Sequence, residues 1–173
     1  MLLRYKKLNE NAIETTRGSE YAAGLDLYAT ADYTIYAGEA VKVSTGIAAE
    51  IPPGYFGAVY ARSGLATKEG LRPANCVGVI DADYRGEIIV AIHNDSLPIG
   101  YYPTEKTIHK GDRIAQLVIQ PCMPVVLQEV EELTDTPRGE GGFGSTGKSS
   151  IPANTNTGFD YEQITLNEII NKG

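Results

Sequence analysis

The chain has 173 residues, 42% hydrophobic and 21% charged, enough for one globular domain with a real core and too few for two large ones. A formal net charge of −7 and an isoelectric point near 4.8 argue against a nucleic-acid or anionic-membrane surface, whose footprint is basic, so any anionic ligand must meet a local Arg or Lys group. No stretch has the form of a signal peptide or reaches the ~18 apolar residues of a membrane span, and the expectation is a soluble, cytoplasmic protein.

In chain order, the first informative segment is "AAGLDLYA" (Ala22 to Ala29), which places Asp26 inside an apolar strand, where an isolated charge would be costly; it should therefore be paired. Alternation of period two follows. Tyr33, Ile35 and Ala37 share one face, and Val41, Val43, Ile47, Ala49 and Ile51 share another, as in half-buried strands. In "ARSGLATKEG" (Ala61 to Gly70), Ser63 is positioned to N-cap a short helix that Gly70 stops. That junction gathers Arg62, a hydroxyl and free amide hydrogens, which fits either an anion site or a plain cap beside a solvated Arg.

"GVIDADYRG" (Gly78 to Gly86) leads an apolar strand into a turn. Asp81 and Asp83 stand two apart, hence on one face if the chain is extended, with Tyr84 beside them. A polar hairpin tip and a carboxylate that activates water next to an aromatic plate both fit. "EIIVAI" (Glu87 to Ile92) and most of "RIAQLVIQ" (Arg113 to Gln120) read as strands buried on both sides, with Gln116 a lone amide in the second. "DYEQITLNEIIN" (Asp160 to Asn171) has capping-box spacing and an apolar stripe, so a short helix is expected there. With 19 Gly and 9 Pro punctuating short strands, the class is an all-β sandwich or barrel.

Cys76 and Cys122 lie among apolar residues without C-x-x-C spacing and are expected to be buried free thiols. His93 and His109 share no metal-ligand spacing, and no G-x-S-x-G elbow occurs, so a catalytic group should be a carboxylate. "RGEGGFGSTGKSS" (Arg138 to Ser150) satisfies both the phosphate-loop and the dinucleotide glycine patterns. Neither has its required flanking strand and helix, since Pro137 precedes and Pro152 follows. A flexible linker is one reading. An arm that folds over an anionic, aromatic ligand is the other, favoured by Phe143 and Arg138 among small residues.

Taken together and in order, "AGLDLYA", "ARSGLA", "NCVGVIDADYRG", "GDRIAQL" and "RGEGGFGSTG" resemble the five signature segments of the trimeric dUTP pyrophosphatases (dUTPases), over Ala23 to Gly147. The resemblance implies a jelly-roll-like β-barrel with one short helix and a mobile C-terminal arm, assembled as a homotrimer whose sites are shared between subunits. It implies hydrolysis of dUTP to dUMP and pyrophosphate, which keeps uracil out of DNA and supplies dUMP for thymidylate synthesis. The domain would span 1–137 and the arm 138–148, leaving 149–173 as an extra tail.

By the same resemblance, Asp81 is the base for the attacking water and Tyr84 the plate against deoxyribose. Asn75, Gly78, Val79 and Ile80 form the uracil pocket. Arg62, Ser63, Gly64 and Gln116 bind the phosphates, with Ser63 stabilising charge between the α- and β-phosphates. From the arm, Phe143 stacks on uracil while Arg138, Gly144, Ser145 and Thr146 hold the γ-phosphate. Mg²⁺ is expected on the substrate phosphates and water without a direct protein ligand, with Asp26 in its second shell or pairing Arg138. The 94–110 connection and the 149–173 tail depart from the family pattern and suit a protein partner, and hence an added regulatory role. A dCTP deaminase on the same fold is the nearest alternative, but its catalytic Glu is replaced by Ala91.

Overall fold

The computed structural model describes residues 1–97 and 104–142. Met1–Val126 forms one compact unit, and a second begins at Leu127. The expected helix at 160–171, the linker at 149–158, most of the arm and part of the 94–110 connection lie outside the described residues.

The first unit is all-β. Its strands are β1 (Arg4–Lys7), β2 (Leu25–Tyr28), β3 (Tyr33–Tyr36), β4 (Ala40–Val43), β5 (Ile47–Glu50), β6 (Tyr55–Tyr60), β7 (Leu71–Pro73), β8 (Val77–Ile80), β9 (Val90–Asn94), β10 (Glu105–Ile108) and β11 (Arg113–Pro121). They pair antiparallel in four sheets: β2-β11-β6-β8, β4-β9-β7, β1-β5 and β10-β3. Among the described residues these sheets do not join into one closed hydrogen-bonded barrel. They share one core, in which Leu27, Ile35, Val43, Ile51, Ile88, Ile92, Ile114 and Leu117 are almost wholly buried.

The alternation read across Val41 to Ile51 falls on two strands and holds only in the first: β4 alternates, whereas Ile47, Ala48 and Ala49 of β5 are all buried. Gly46, at φ 66°, turns the chain between the two strands, and the Thr45 hydroxyl donates to the Ile88 carbonyl at 2.6 Å. The buried amide of Asn94 ties β9 to β3 by donating to the Ile35 carbonyl at 2.9 Å.

Several expectations are corrected. The strand expected at Glu87 starts only at Val90. Glu87 is held off the ladder because its carboxylate accepts hydrogen bonds from the Ser44 hydroxyl and the Gly46 N–H, and Ile89 is 48% exposed rather than buried. β11 buries Ile114, Ala115 and Leu117 but leaves Val118 and Ile119 partly exposed, so it is not covered on both sides.

The short helix is a π-helix, Leu65–Glu69, preceded by Gly64 and with no side-chain cap. Ser63 contributes its carbonyl, which accepts from the Thr67 hydroxyl at 2.7 Å. The stop at Gly70 is as expected, in the left-handed conformation at φ 70° that glycine adopts without steric cost. Cys76 and Cys122 are free as expected, but both are exposed. Apolar neighbours in sequence did not bury them: Cys76 sits in the turn between β7 and β8, and Cys122 just past the end of β11.

In the described part of the second unit, Thr136 to Gly141 is a run of turns. The Gly139 N–H reaches the Thr136 carbonyl at 3.0 Å, and Arg138 Nε donates to the Gly141 carbonyl at 2.8 Å.

Candidate active site

The four-stranded sheet aligns the pieces. Asp26 on β2 faces Gln116 on β11, Gln116 faces Tyr60 at the end of β6, and Tyr60 faces Val77 on β8. Just past Tyr60 the chain leaves the sheet through Ala61, Arg62, Ser63 and Gly64 into the π-helix. Short-range chemistry at the β2 end and at the β8 end is therefore set by one row of registered residues.

At the β2 end a cavity of about 240 Å³ is lined by Gly18, Ala22, Gly24, Asp26, Arg62, Ser63, Gly64, Arg113 and Gln116. Asp26 is buried, as its apolar strand requires, and its carboxylate carries two cations: Arg62 Nε at 3.1 Å on one oxygen and Arg113 Nη1 at 3.3 Å on the other. One carboxylate against two guanidinia leaves a local charge of +1 in a chain of net −7. Arg62 is fixed a second time, donating from Nη1 to the Arg113 carbonyl at 3.3 Å.

Gln116 Nε2 donates to the Ala61 carbonyl at 2.9 Å. Its side chain lies across Gly24, where a Cβ would come within 2.5 Å of its Oε1 and 2.9 Å of its own Cβ. Gly24 is thus the residue that leaves room for the amide. The Ser63 hydroxyl is exposed and takes part in no hydrogen bond among the described residues.

The β8 end carries the other candidates. Asn75 and Val79 are exposed, Gly78 is buried and Ile80 half-buried. The backbone pairs β8 to β6 from Val77 to Ile80. Asp81 follows the strand, and the chain then turns at Ala82 and Asp83, with the Tyr84 N–H donating to the Asp81 carbonyl at 3.2 Å. Asp81 and Asp83 are therefore not on one extended face, a correction to the spacing argument. The Asp81 carboxylate is exposed and has no ion pair or hydrogen bond among the described residues. Tyr84 donates its hydroxyl to the Glu87 carbonyl at 3.0 Å. It lies over Gly86, where any Cβ would overlap its hydroxyl.

Within one chain, then, Arg62, Ser63, Gly64, Gln116 and Asp26 share a cavity, whereas Asn75, Asp81 and Tyr84 do not line it. Asp26 finds its partners in Arg62 and Arg113; Arg138 belongs to the second unit. Phe143, Gly144, Ser145 and Thr146 lie outside the described residues. Arg113 was missed from the sequence. Its signal was a lone cation entering an apolar strand, which only the β2–β11 register sets beside Asp26. No group of three or more His, Cys, Asp or Glu is placed to hold a metal among the described residues.

Two guanidinia, a hydroxyl and an amide around one small polar cavity are the kind of donor set that suits a multiply charged anion, as in phosphate-handling proteins. The dUTPase family model matches residues 10–147, and the chain belongs to that family. It is accordingly a hydrolase of nucleotide metabolism, a dUTP diphosphatase. It is 47% identical over 148 residues to the deoxyuridine 5'-triphosphate nucleotidohydrolase of Nautilia profundicola, covering 86% of this chain and all of that one. Among solved structures it resembles the dUTPase of Staphylococcus bacteriophage 80alpha with dUPNHPP, at TM-score 0.77 and 32% identity, over 84% of this chain and 98% of that one. A mutant dUTPase from phage phi11 of S. aureus, described with a coordinated structural Mg(II) ion, aligns at TM-score 0.69 and 29% identity, over 76% of this chain and 98% of that one.

No helix among the described residues is long and apolar enough to cross a membrane.

Proposed function

We propose that the enzyme cleaves dUTP between the α- and β-phosphates, with Asp81 as base. Water held by the Asp81 carboxylate attacks the α-phosphorus and gives up its proton to that carboxylate. The bond from the α-phosphorus to the bridging oxygen breaks, dUMP keeps the new oxygen, and pyrophosphate leaves. Arg62 and Arg113 offset triphosphate charge, and Ser63, Gly64 and Gln116 line the same cavity as neutral hydrogen-bonding groups, with the Ser63 hydroxyl free to meet the oxygen on which charge develops. The observation that carries this reading is the paired-arginine cavity, a local cation in an acidic chain.

Asn75 and the edge of β8 are the uracil pocket in this reading, and Tyr84 packs against the sugar. The donor set suits Mg²⁺ carried in on the substrate: Asp26 already serves two arginines, and Mg²⁺ keeps most of its waters and takes phosphate oxygens readily. Such an ion would supply charge neutralisation on the phosphates.

The homotrimer with shared sites is supported by the separation of the candidates within one chain: Asn75, Asp81 and Tyr84 do not line the cavity that holds Arg62, Ser63, Gly64 and Gln116. A subunit can then present its phosphate ligands to a neighbour's Asp81, with an arm bearing Arg138 and Phe143 closing over the nucleotide.

Asp81→Asn tests the base. Pyrophosphate release should fall by about 10²–10⁴-fold while dUTP affinity stays within a few-fold. Refolding this variant together with chains ending before Arg138 should restore activity from two inactive proteins. Turnover of the Asp81→Asn enzyme near the wild-type rate would remove Asp81 from the mechanism.

A further inference from the structure

Cys76 is the one non-glycine residue with positive φ, 62°, among the described residues. The Val77 N–H reaches back over it to the Asn75 carbonyl at 2.6 Å. That is a γ-turn of the rarer, strained hand. A residue stays in such a sparsely populated conformation only where its surroundings over-determine it. Here the turn carries Asn75, so what holds it also aims that side chain.

The surroundings consist mainly of one arginine. The Pro73 carbonyl accepts from the Cys76 N–H at 3.1 Å and from Arg72 Nη1 at 3.3 Å. The same Nη1 lies 4.0 Å from Cys76 Sγ. Arg72 is itself fixed in a fork on Asp95, Nε to Oδ2 at 2.6 Å and Nη2 to Oδ1 at 3.0 Å. Asp95 is anchored from two further sides. His93 Nδ1 lies 2.8 Å from Oδ1, and the Asp95 N–H donates to the Gly70 carbonyl at 2.8 Å. The Ala74 N–H adds a bond to the Ala91 carbonyl at 2.8 Å.

An isolated surface ion pair contributes little. This one differs because the planar fork fixes the guanidinium in orientation as well as position, leaving Nη1 aimed at the turn. The Arg72 guanidinium also holds the Asp95 carboxyl below its usual range, through its hydrogen bonds first, with His93 adding to the effect against partial burial.

We infer that Arg72, Asp95 and His93 are positioning residues for the turn at Asn75–Cys76, and that through it they set the preference for uracil over cytosine. The inference rests on the reading of Asn75 and Gly78 to Ile80 as the base pocket. None of the three need touch the nucleotide. They act by keeping the Asn75 amide and the start of β8 where a base edge can be read by paired donors and acceptors, a discrimination that decays once the pairing geometry loosens.

The test is steady-state pyrophosphate release from dUTP and dCTP by wild type, Arg72→Ala, Asp95→Asn, Arg72→Lys and the double variant Arg72→Ala/Cys76→Gly, with melting curves for each. Arg72→Ala and Asp95→Asn should raise KM for dUTP about 10-fold, leave kcat within about 3-fold, and cut the dUTP-to-dCTP ratio of kcat/KM about 10-fold. Arg72→Lys should not recover the ratio, since an ammonium cannot form the fork. Cys76→Gly should recover most of it in the Arg72→Ala background, because glycine adopts the left-handed turn without steric cost. A ratio within about twofold of wild type in both single variants, whatever their melting temperatures, overturns the inference. If the wild-type enzyme itself fails to distinguish dUTP from dCTP, the base-pocket reading falls and takes this inference with it.

Discussion

Asp26→Ala probes the centre of the anion cavity. The Asp26 side chain is 11% exposed and holds Arg62, 29% exposed, and Arg113, 48% exposed. Truncation leaves Arg62 Nε without its acceptor in a half-covered site, a loss of about 1.5–3 kcal/mol for a charge-assisted hydrogen bond. Arg113 can turn to water, so its arm adds only about 0.5 kcal/mol. Loss of the carboxylate's own desolvation penalty offsets part of this, and the net loss is about 2 kcal/mol, below the roughly 3–5 kcal/mol of a fully buried pair broken from one side because both arginines reach water.

For a unit of this size that is a fall in Tm of about 6–10 °C. Asp26→Asn keeps the shape and one acceptor oxygen and should lose about half as much. Thermal unfolding by circular dichroism, paired with urea titration at 25 °C, reads both. In about 1 M salt the Arg113 share should vanish while the Arg62 share persists. A change under about 2 °C for Asp26→Ala would show that the two arginines are not organised by this carboxylate.

Gly24→Ala should cripple phosphate binding with little change in base preference. The new methyl meets not only the movable end of Gln116 but its Cβ, which the strand fixes; KM for dUTP should rise about 10-fold or more, and a normal KM would mean that the amide is not needed where it lies. Asp95 predicts a pH dependence. Its folded-state carboxyl is held below the ordinary range, chiefly by hydrogen bonds from Arg72, so its stabilisation is complete above the unfolded value of about 3.9 and is lost as pH falls through the folded value. The stability gap between wild type and Asp95→Asn, read from urea midpoints, should therefore shrink as pH falls below about 4; a gap that persists undiminished into acid would contradict the fork.

Much of this was legible in the order of residues. Asp26 had to be paired because its neighbours Leu25 and Leu27 place it in a strand facing the core, and Gly70 had to end the helix because the chain there needs positive φ. The side of each pairing was less accessible. Arg113 reaches Asp26 from 87 residues away, and Arg72 reaches Asp95 across 23, contacts that exist only once β2 pairs with β11 and β7 with β9.

Local chemistry misled in two places. Ser63 has the right identity for a cap, but its carbonyl is taken by the Thr67 hydroxyl and the helix is a π-helix that Gly64 precedes. Glu87 looks like the first residue of an apolar strand, yet its carboxylate is drawn to Ser44 and Gly46, which delays pairing until Val90. In both cases a polar side chain satisfied the backbone in a way that hydrophobic pattern alone does not register.

The most direct measurement is pyrophosphate release by the wild-type enzyme from dUTP, dTTP, dCTP and UTP, each with Mg²⁺, with ammonia followed in the dCTP reaction. The proposed base and sugar contacts predict that dUTP is preferred by about 10²-fold or more in kcat/KM, because a pocket of paired donors and acceptors would penalise cytosine and Tyr84 would leave no room for a ribose hydroxyl. Equal turnover of dUTP and dCTP, or ammonia released from dCTP, would contradict it.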